Sequence, residues 1–326
     1  MKTRQLGREG FEIGEMGIGC WQLSGNCWGD ITDETAMAIL RAAADHGMTF
    51  FDTADVYGPH RSEEHIGRFL QESGADVVVA TKSGRGDVFP DKYSRDNLRE
   101  SVAGSAARLG VECLDLLQLH CVPMEVLKDG AIFDWLRELQ KEGRIRHFGA
   151  SVESVEEGLV CLEQDGLQSL QVIFNPFRQK LVTDLFPQAQ AAGAGIIVRL
   201  PLASGLLTGK FTKETEFRET DHRNFNRDGQ AFNAGETFAG LPFEAGVDLV
   251  EELRPRVPEG MSLAQMTLRW ILDHEAVSVI IPGASSPRQV AENAGISDLP
   301  PLPPELHEFL RGFYDAKVKH LIRGVY

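Results

Sequence analysis

Three ionisable residues each close a short apolar run. Asp52 follows Thr49-Phe50-Phe51, Lys82 follows Val77-Val78-Val79-Ala80-Thr81, and His120 follows Leu114-Asp115-Leu116-Leu117-Gln118-Leu119. Tyr57 stands just after the first run, in Asp52-Thr53-Ala54-Asp55-Val56-Tyr57-Gly58. A phenol is a weak acid, with a reference pKa of about 10. An ammonium beside it favours the phenolate and lowers that value, and a carboxylate beside the ammonium keeps it charged and in place. A histidine can bond the same oxygen that the substrate presents. Together the four could form a tuned proton donor aimed at a carbonyl oxygen, needing only a hydride source to complete a reduction. Taken singly, each has an ordinary reading: Asp52 a helix cap or loop carboxylate, Lys82 a surface lysine, Tyr57 a core or rim aromatic. Their joint placement at run ends selects the chemistry. No nucleophile elbow, metal-ligand cluster or Walker loop competes for the role, and no metal is expected.

Elements that bring run ends together must be parallel strands. Strand-like runs fall near 16–19, 49–52, 77–81, 113–119, 145–150, 169–175, 195–200 and 277–281. Helical periodicity falls between them, near 33–46, 62–72, 94–109, 124–142, 153–164, 183–192, 244–255 with 262–273, and 286–294. Thr32 and Ser94 read as helix caps, and Gly47, Gly110 and Gly143 as stops. Arg4-Gln5-Leu6 and Glu12-Ile13 flank turn residues and predict an N-terminal β-hairpin. Eight βα units predict an α/β fold of the TIM (β/α)8 class, with residues 1–326 as one domain. Its strand C-termini share one face, where active sites of this architecture are built. Residues 203–243, after the seventh strand, are polar, aperiodic and too long for an ordinary barrel loop, and are read as a lid. Residues 300–326 predict an extra C-terminal helix.

The chain carries 33 basic and 48 acidic residues, a formal net charge of −15. That disfavours nucleic acid and an anionic membrane as partners, neither of which is expected, but permits a local basic pocket for a phosphate. Cys20, Cys27, Cys113, Cys121 and Cys161 are odd in number, with no C-x-x-C pair, which fits a reducing cytoplasm rather than a disulfide framework or zinc site. The N-terminal residues show no signal-peptide h-region, and no run reaches the roughly 18 apolar residues needed to span a bilayer. Oligomeric state is not legible.

The motifs resemble those of the aldo-keto reductases. Asp52 to Gly58 with Ser62, Glu63 and Gly67 is similar to that family's first signature; Ser105 to Gly110 and Asp115 to His120 are similar to its middle segment; Ile281-Pro282-Gly283 to Pro287 with Glu292 and Asn293 is similar to its cofactor segment. The resemblance is to the branch holding potassium-channel β-subunit-like and general stress members. It implies a (β/α)8 barrel and NADPH, with NAD the lesser alternative. It further implies hydride transfer from nicotinamide C4 to an aldehyde or ketone, Tyr57 donating the proton, Lys82 tuning it, Asp52 pairing with Lys82, and His120 orienting the carbonyl. Trp21, Trp28, Tyr57 and His120 would line the substrate pocket.

The same resemblance implies a cofactor path with departures. Ser151 and Gln171 would hold the carboxamide, although Val152 replaces the family's asparagine. Arg199, followed by Leu200, Pro201 and Leu202, stands where many members stack an aromatic ring on the nicotinamide, and its charge would favour the neutral reduced ring. Alternatively it turns away into a salt bridge. Ser204, Gly205, Leu207 and Lys210 match the pyrophosphate loop. Gly283, Ser285, Arg288, Gln289, Glu292 and Asn293 lie at the adenosine end, where Arg288 could meet a 2′-phosphate or be solvated. Two other functions stay open: a cofactor-binding regulatory subunit with little turnover, and an alcohol or sugar dehydrogenase working in the oxidative direction.

Overall fold

The computed structural model describes residues 1–25, 28–29 and 31–326; Asn26, Cys27 and Asp30 lie outside the described residues. Strands β1 (Thr3–Leu6) and β2 (Phe11–Gly14) form the expected antiparallel hairpin. Eight parallel strands follow: β3 (Ile18–Gly19), β4 (Phe50–Asp52), β5 (Val78–Ser83), β6 (Leu114–His120), β7 (Ile145–Ser151), β8 (Leu167–Ile173), β9 (Gly195–Arg199) and β10 (Val277–Ile280). They lie side by side in chain order. The ends meet where Met16 bridges Ile280 and Gly19 bridges Gly283, so the sheet curls into the expected TIM barrel.

The helices are α1 (Asp33–Asp45), α2 (Arg61–Ser73), α3 (Arg95–Leu109), α4 (Met124–Asp129), α5 (Ala131–Lys141), α6 (Val155–Leu162), α7 (Leu181–Asp184), α8 (Phe186–Ala192), α9 (His222–Phe225), α10 (Phe243–Leu253), α11 (Leu263–Leu272), α12 (Pro287–Ala294) and α13 (Pro304–Phe313). Thr32 and Ser94 cap α1 and α3 by accepting from the backbone N–H three residues on. The single helix expected over 124–142 is two. Gly130, at φ +81°, stops α4 in a left-handed conformation from which α5 restarts. The helix expected over 183–192 likewise breaks at Leu185, and Pro187, with no N–H to give, stands in the first turn of its successor.

Alternation along the strands sorts the barrel interior into layers. Phe50, Ala80, Leu116, Ile197 and Val279 pack with Leu6 and Ile13 of the hairpin into one inner apolar cluster, which plugs the N-terminal end. Two or four residues further along the same inward faces stand Asp52, Lys82, Gln118, His120 and Arg199. The larger apolar layer lies between strands and helices.

Residues 203–243 are more ordered than their composition suggests. They hold the 3-10 turns Ala203–Thr208, Ala234–Glu236 and Phe238–Gly240 and the short α9. Phe211, Phe217, Phe238 and Phe243 pack together, Phe238 and Phe243 with ring centroids 4.8 Å apart. Arg323 ties the C-terminal segment to this stretch by donating to the carbonyls of Gly240 and Leu241, each at 3.1 Å. No helix of the described residues is long and apolar enough to cross a membrane.

Candidate active site

Parallel strand ends converge as expected. Lys82 is fully buried, and its three donors are all engaged: Asp52 Oδ1 at 2.6 Å, the Thr53 carbonyl at 2.7 Å and the Tyr57 hydroxyl at 3.3 Å. Burial works against this ammonium, but Asp52 and then Tyr57 outweigh it and hold its pKa above the ordinary lysine value. Tyr57 departs from expectation. Burial raises its pKa, and Lys82 offsets only part of that rise, so the phenol sits above its ordinary value. His120 is held well below its usual pKa by burial and then by Arg85, Lys82 and Arg199, so it is a neutral imidazole. Its Nδ1 is buried without a partner, and its ring meets Tyr57 edge to face at 5.9 Å. Trp21 stacks on Tyr57 at 5.8 Å and meets Trp28 edge-on at 5.4 Å.

One participant escaped the sequence reading. Gln118 Nε2 donates to Asp52 Oδ2 at 3.1 Å, and Gln171 Nε2 donates to the same oxygen at 2.6 Å. The signal was present: Gln118 is two residues before His120 and therefore shares its inward face.

A cavity of about 400 Å³ runs across this end of the barrel. Trp21, Trp28, Asp52, Tyr57, His120, Ser151, Gln171 and Arg199 line it, followed by Leu200, Pro201, Leu202, Ser204, Gly205 and Lys210, and then Gly283, Ser285 and Gln289. Leu207 is fully buried in the apolar layer and does not reach it, because the turn at Ser204 and Gly205 presents the neighbouring residues instead. Arg288, 88% exposed, pairs with Glu292 one turn along α12, and neither these two nor Asn293 is part of the cavity wall.

A half-buried ion cluster around Glu236 forms another wall, and segments far apart in sequence build it. Arg85 Nη2 binds Glu236 at 2.6 Å and Glu153 at 3.0 Å, while Arg199 Nη1 lies 3.4 Å from Glu236. Arg199 thus lines the cavity and also joins a salt bridge, so Glu236 offsets its charge. Despite burial, Arg85 and Arg199 bring the Glu236 carboxyl down to about 2. Burial and the facing Glu236 push Glu153 up to about 7. Cys121, Glu153 and Glu236 have ligand atoms within 4.8 Å of one another. A cation there would also meet two guanidiniums, and the carboxylates are already answered by them.

A parallel barrel with this buried Asp-Tyr-Lys-His arrangement defines a class. Residues 15–315 match the aldo/keto reductase family, and the chain belongs to it; it is an oxidoreductase. The chain is 29% identical to aldo-keto reductase YhdN of Bacillus subtilis (strain 168), over 89% of this chain and 87% of that protein. It is 30% identical to a probable voltage-gated potassium channel subunit beta of Oryza sativa subsp. japonica, over 98% of both. Among solved structures it is similar to the glycerol dehydrogenase AKR11B4 from Gluconobacter oxydans, with a TM-score of 0.80, 27% identity and coverage of 99% of this chain and 98% of that one.

Proposed function

We propose that the chain, acting as one unit over residues 1–326, reduces aldehydes or ketones to alcohols with NADPH, and that Tyr57 donates the proton. The observation that carries this is the Lys82 ammonium, locked by three hydrogen bonds with the Tyr57 hydroxyl as one of its acceptors. A cation fixed there stabilises negative charge as it develops on the phenol oxygen, without reorganising. Tyr57, kept protonated by its raised pKa, remains a donor through neutral pH. Neutral His120 bonds the carbonyl oxygen and positions it for that proton.

The residues along the cavity fit a dinucleotide. Ser151 and Gln171 sit beside the tetrad and suit a carboxamide. Gly205, at φ +96°, lets the backbone approach closely, and Lys210 and Arg223 bring positive charge to that stretch. Ser285 and Gln289 occupy the far end. NADP is preferred over NAD because Arg288 is restrained only by a surface pair, which is worth less than about 1 kcal/mol and yields readily to a phosphate. When bound, the cofactor supplies the hydride; orientation and proton delivery belong to the protein.

The likeness to a glycerol dehydrogenase supports a second reading, in which the same site runs from alcohol to carbonyl. Fluorescence titration of NADPH, NADP⁺, NADH and NAD⁺ against wild type and Lys82→Met, followed by an aldehyde panel, tests the proposal. Binding of NADPH by both with turnover by wild type alone supports it. Binding without turnover in either direction favours a regulatory role.

A further inference from the structure

The chain is acidic, yet several cationic side chains gather at its cavity. Arg85, Arg199, Lys210 and Arg223 line it against Asp52 and Glu236, and Asp52 is already answered by Lys82. Three of the four cations have evident work. Lys210 and Arg223 belong to the stretch around Gly205, and Arg223 is held there by Asp221, to which Nε donates at 2.9 Å and Nη2 at 2.6 Å. Arg199 faces Glu236 and donates to the Val152 carbonyl, and its one unbonded nitrogen, Nε, is buried. Arg85 differs. It is three residues beyond Lys82, its charge is the largest influence that holds His120 neutral after burial itself, and it lies over the Phe232 ring at 5.7 Å. Every hydrogen bond it makes runs through Nη2, to Glu153 and Glu236. Among the described residues its Nε and Nη1 make no hydrogen bond, and the side chain is part of the cavity wall. The two glutamates therefore fix the guanidinium by one nitrogen and leave two others unbonded on a side chain that lines the same cavity as Tyr57 and His120.

We propose that Arg85 anchors an anionic substituent of the substrate, so that the preferred carbonyl compounds carry a carboxylate or phosphate group. This rests on the reductase reading above. A charge-assisted hydrogen bond from a guanidinium already held in place costs little ordering on binding and fixes the far end of the molecule while its carbonyl meets Tyr57 and His120. The aromatic wall of Trp21, Trp28 and Phe232 accepts the body between the two polar ends.

The test uses matched substrates with saturating NADPH: 4-carboxybenzaldehyde against benzaldehyde, and succinic semialdehyde against butanal. The expected result in wild type is a kcat/KM preference for the anion of roughly tenfold to hundredfold in at least one pair, carried mainly by KM. Arg85→Gln should lose that preference, and Arg85→Lys, which keeps a cation between Glu153 and Glu236, should recover part of it. Equal treatment of both members of each pair by wild type, or an undiminished preference in Arg85→Gln, overturns the proposal. If Arg85→Gln does not fold, inhibition of wild type decides: 4-(hydroxymethyl)benzoate should compete with benzaldehyde where 4-(hydroxymethyl)benzamide does not, and equal inhibition overturns it. Reduction of none of the four aldehydes by wild type would sink the reductase reading and this inference with it, whereas reduction without anion preference sinks the inference alone.

Discussion

Gln171 and Gln118 are bound to each other as well as to Asp52: Gln171 Nε2 lies 3.2 Å from Gln118 Oε1, and both amides donate to Asp52 Oδ2. The residue suited to hold a carboxamide is thereby tied to the carboxylate that holds Lys82. Removing the middle member should be felt at both ends. Gln118→Leu is expected to lower stability by about 1–3 kcal/mol, read from the urea midpoint, because it strips a buried carboxylate of one donor. It should also weaken NADPH binding severalfold in a fluorescence titration, as Gln171 keeps its bond to Asp52 but loses its second partner.

Tyr57→Phe and Lys82→Met remove the proton and the group that steadies its loss. Each is expected to lower kcat by about 10²- to 10⁴-fold, the usual scale of a positioned acid. Tyr57→Phe should keep NADPH affinity within a few fold, which separates lost chemistry from lost binding. A Tyr57→Phe enzyme with wild-type single-turnover rates would exclude Tyr57 as donor.

The pH profile of single-turnover reduction follows from the shifts at the site. His120 is depressed far below its ordinary value, so it adds no inflection near 6.5. Tyr57 is raised, so its proton is retained until pH exceeds the ordinary phenol value of about 10. The rate constant is expected to be flat from pH 6 to 9 and to fall only in stronger alkali.

Glu153 gives a stability prediction with a definite sign. Its folded-state pKa is raised to about 7, so between the ordinary carboxylate value and 7 the folded chain binds more protons than the unfolded one. The stability it contributes is greatest at low pH and is lost as pH rises through that window. Wild type should therefore lose about 1–3 kcal/mol relative to Glu153→Gln between pH 5 and pH 8, measured by urea unfolding at both. A constant difference would mean that Glu153 is ionised throughout.

The barrel and the tetrad were legible because both follow from short-range patterns. Apolar runs mark strands, and parallel strands put their C-terminal residues on one face. Gln118 was legible by the same alternation but was hidden inside a run read as apolar. The ion cluster was not legible. Arg85, Glu153 and Glu236 lie in three loops, and no periodicity relates positions brought together by a folded barrel. Leu207 shows the opposite failure: a motif position carried over by resemblance can have its side chain in the core when the backbone turns at Ser204 and Gly205. The rise in the Tyr57 pKa needed burial as well as neighbours, and burial is a property of the finished fold.

The seam of the barrel has a consequence for how the protein is made. All four tetrad residues have been synthesised by His120, yet the wall that completes their chamber joins Met16 to Ile280 and Gly19 to Gly283. At ordinary translation rates the ribosome takes roughly ten to thirty seconds to travel between His120 and Ile280. During that time β3 has no eighth strand to pair with, and its open edge must be shielded or left to a chaperone. Closure is a contact of very long sequence separation, so it comes late and slowly. Catalytic competence should therefore arrive as a delayed final step, well after helices and neighbouring strands have formed.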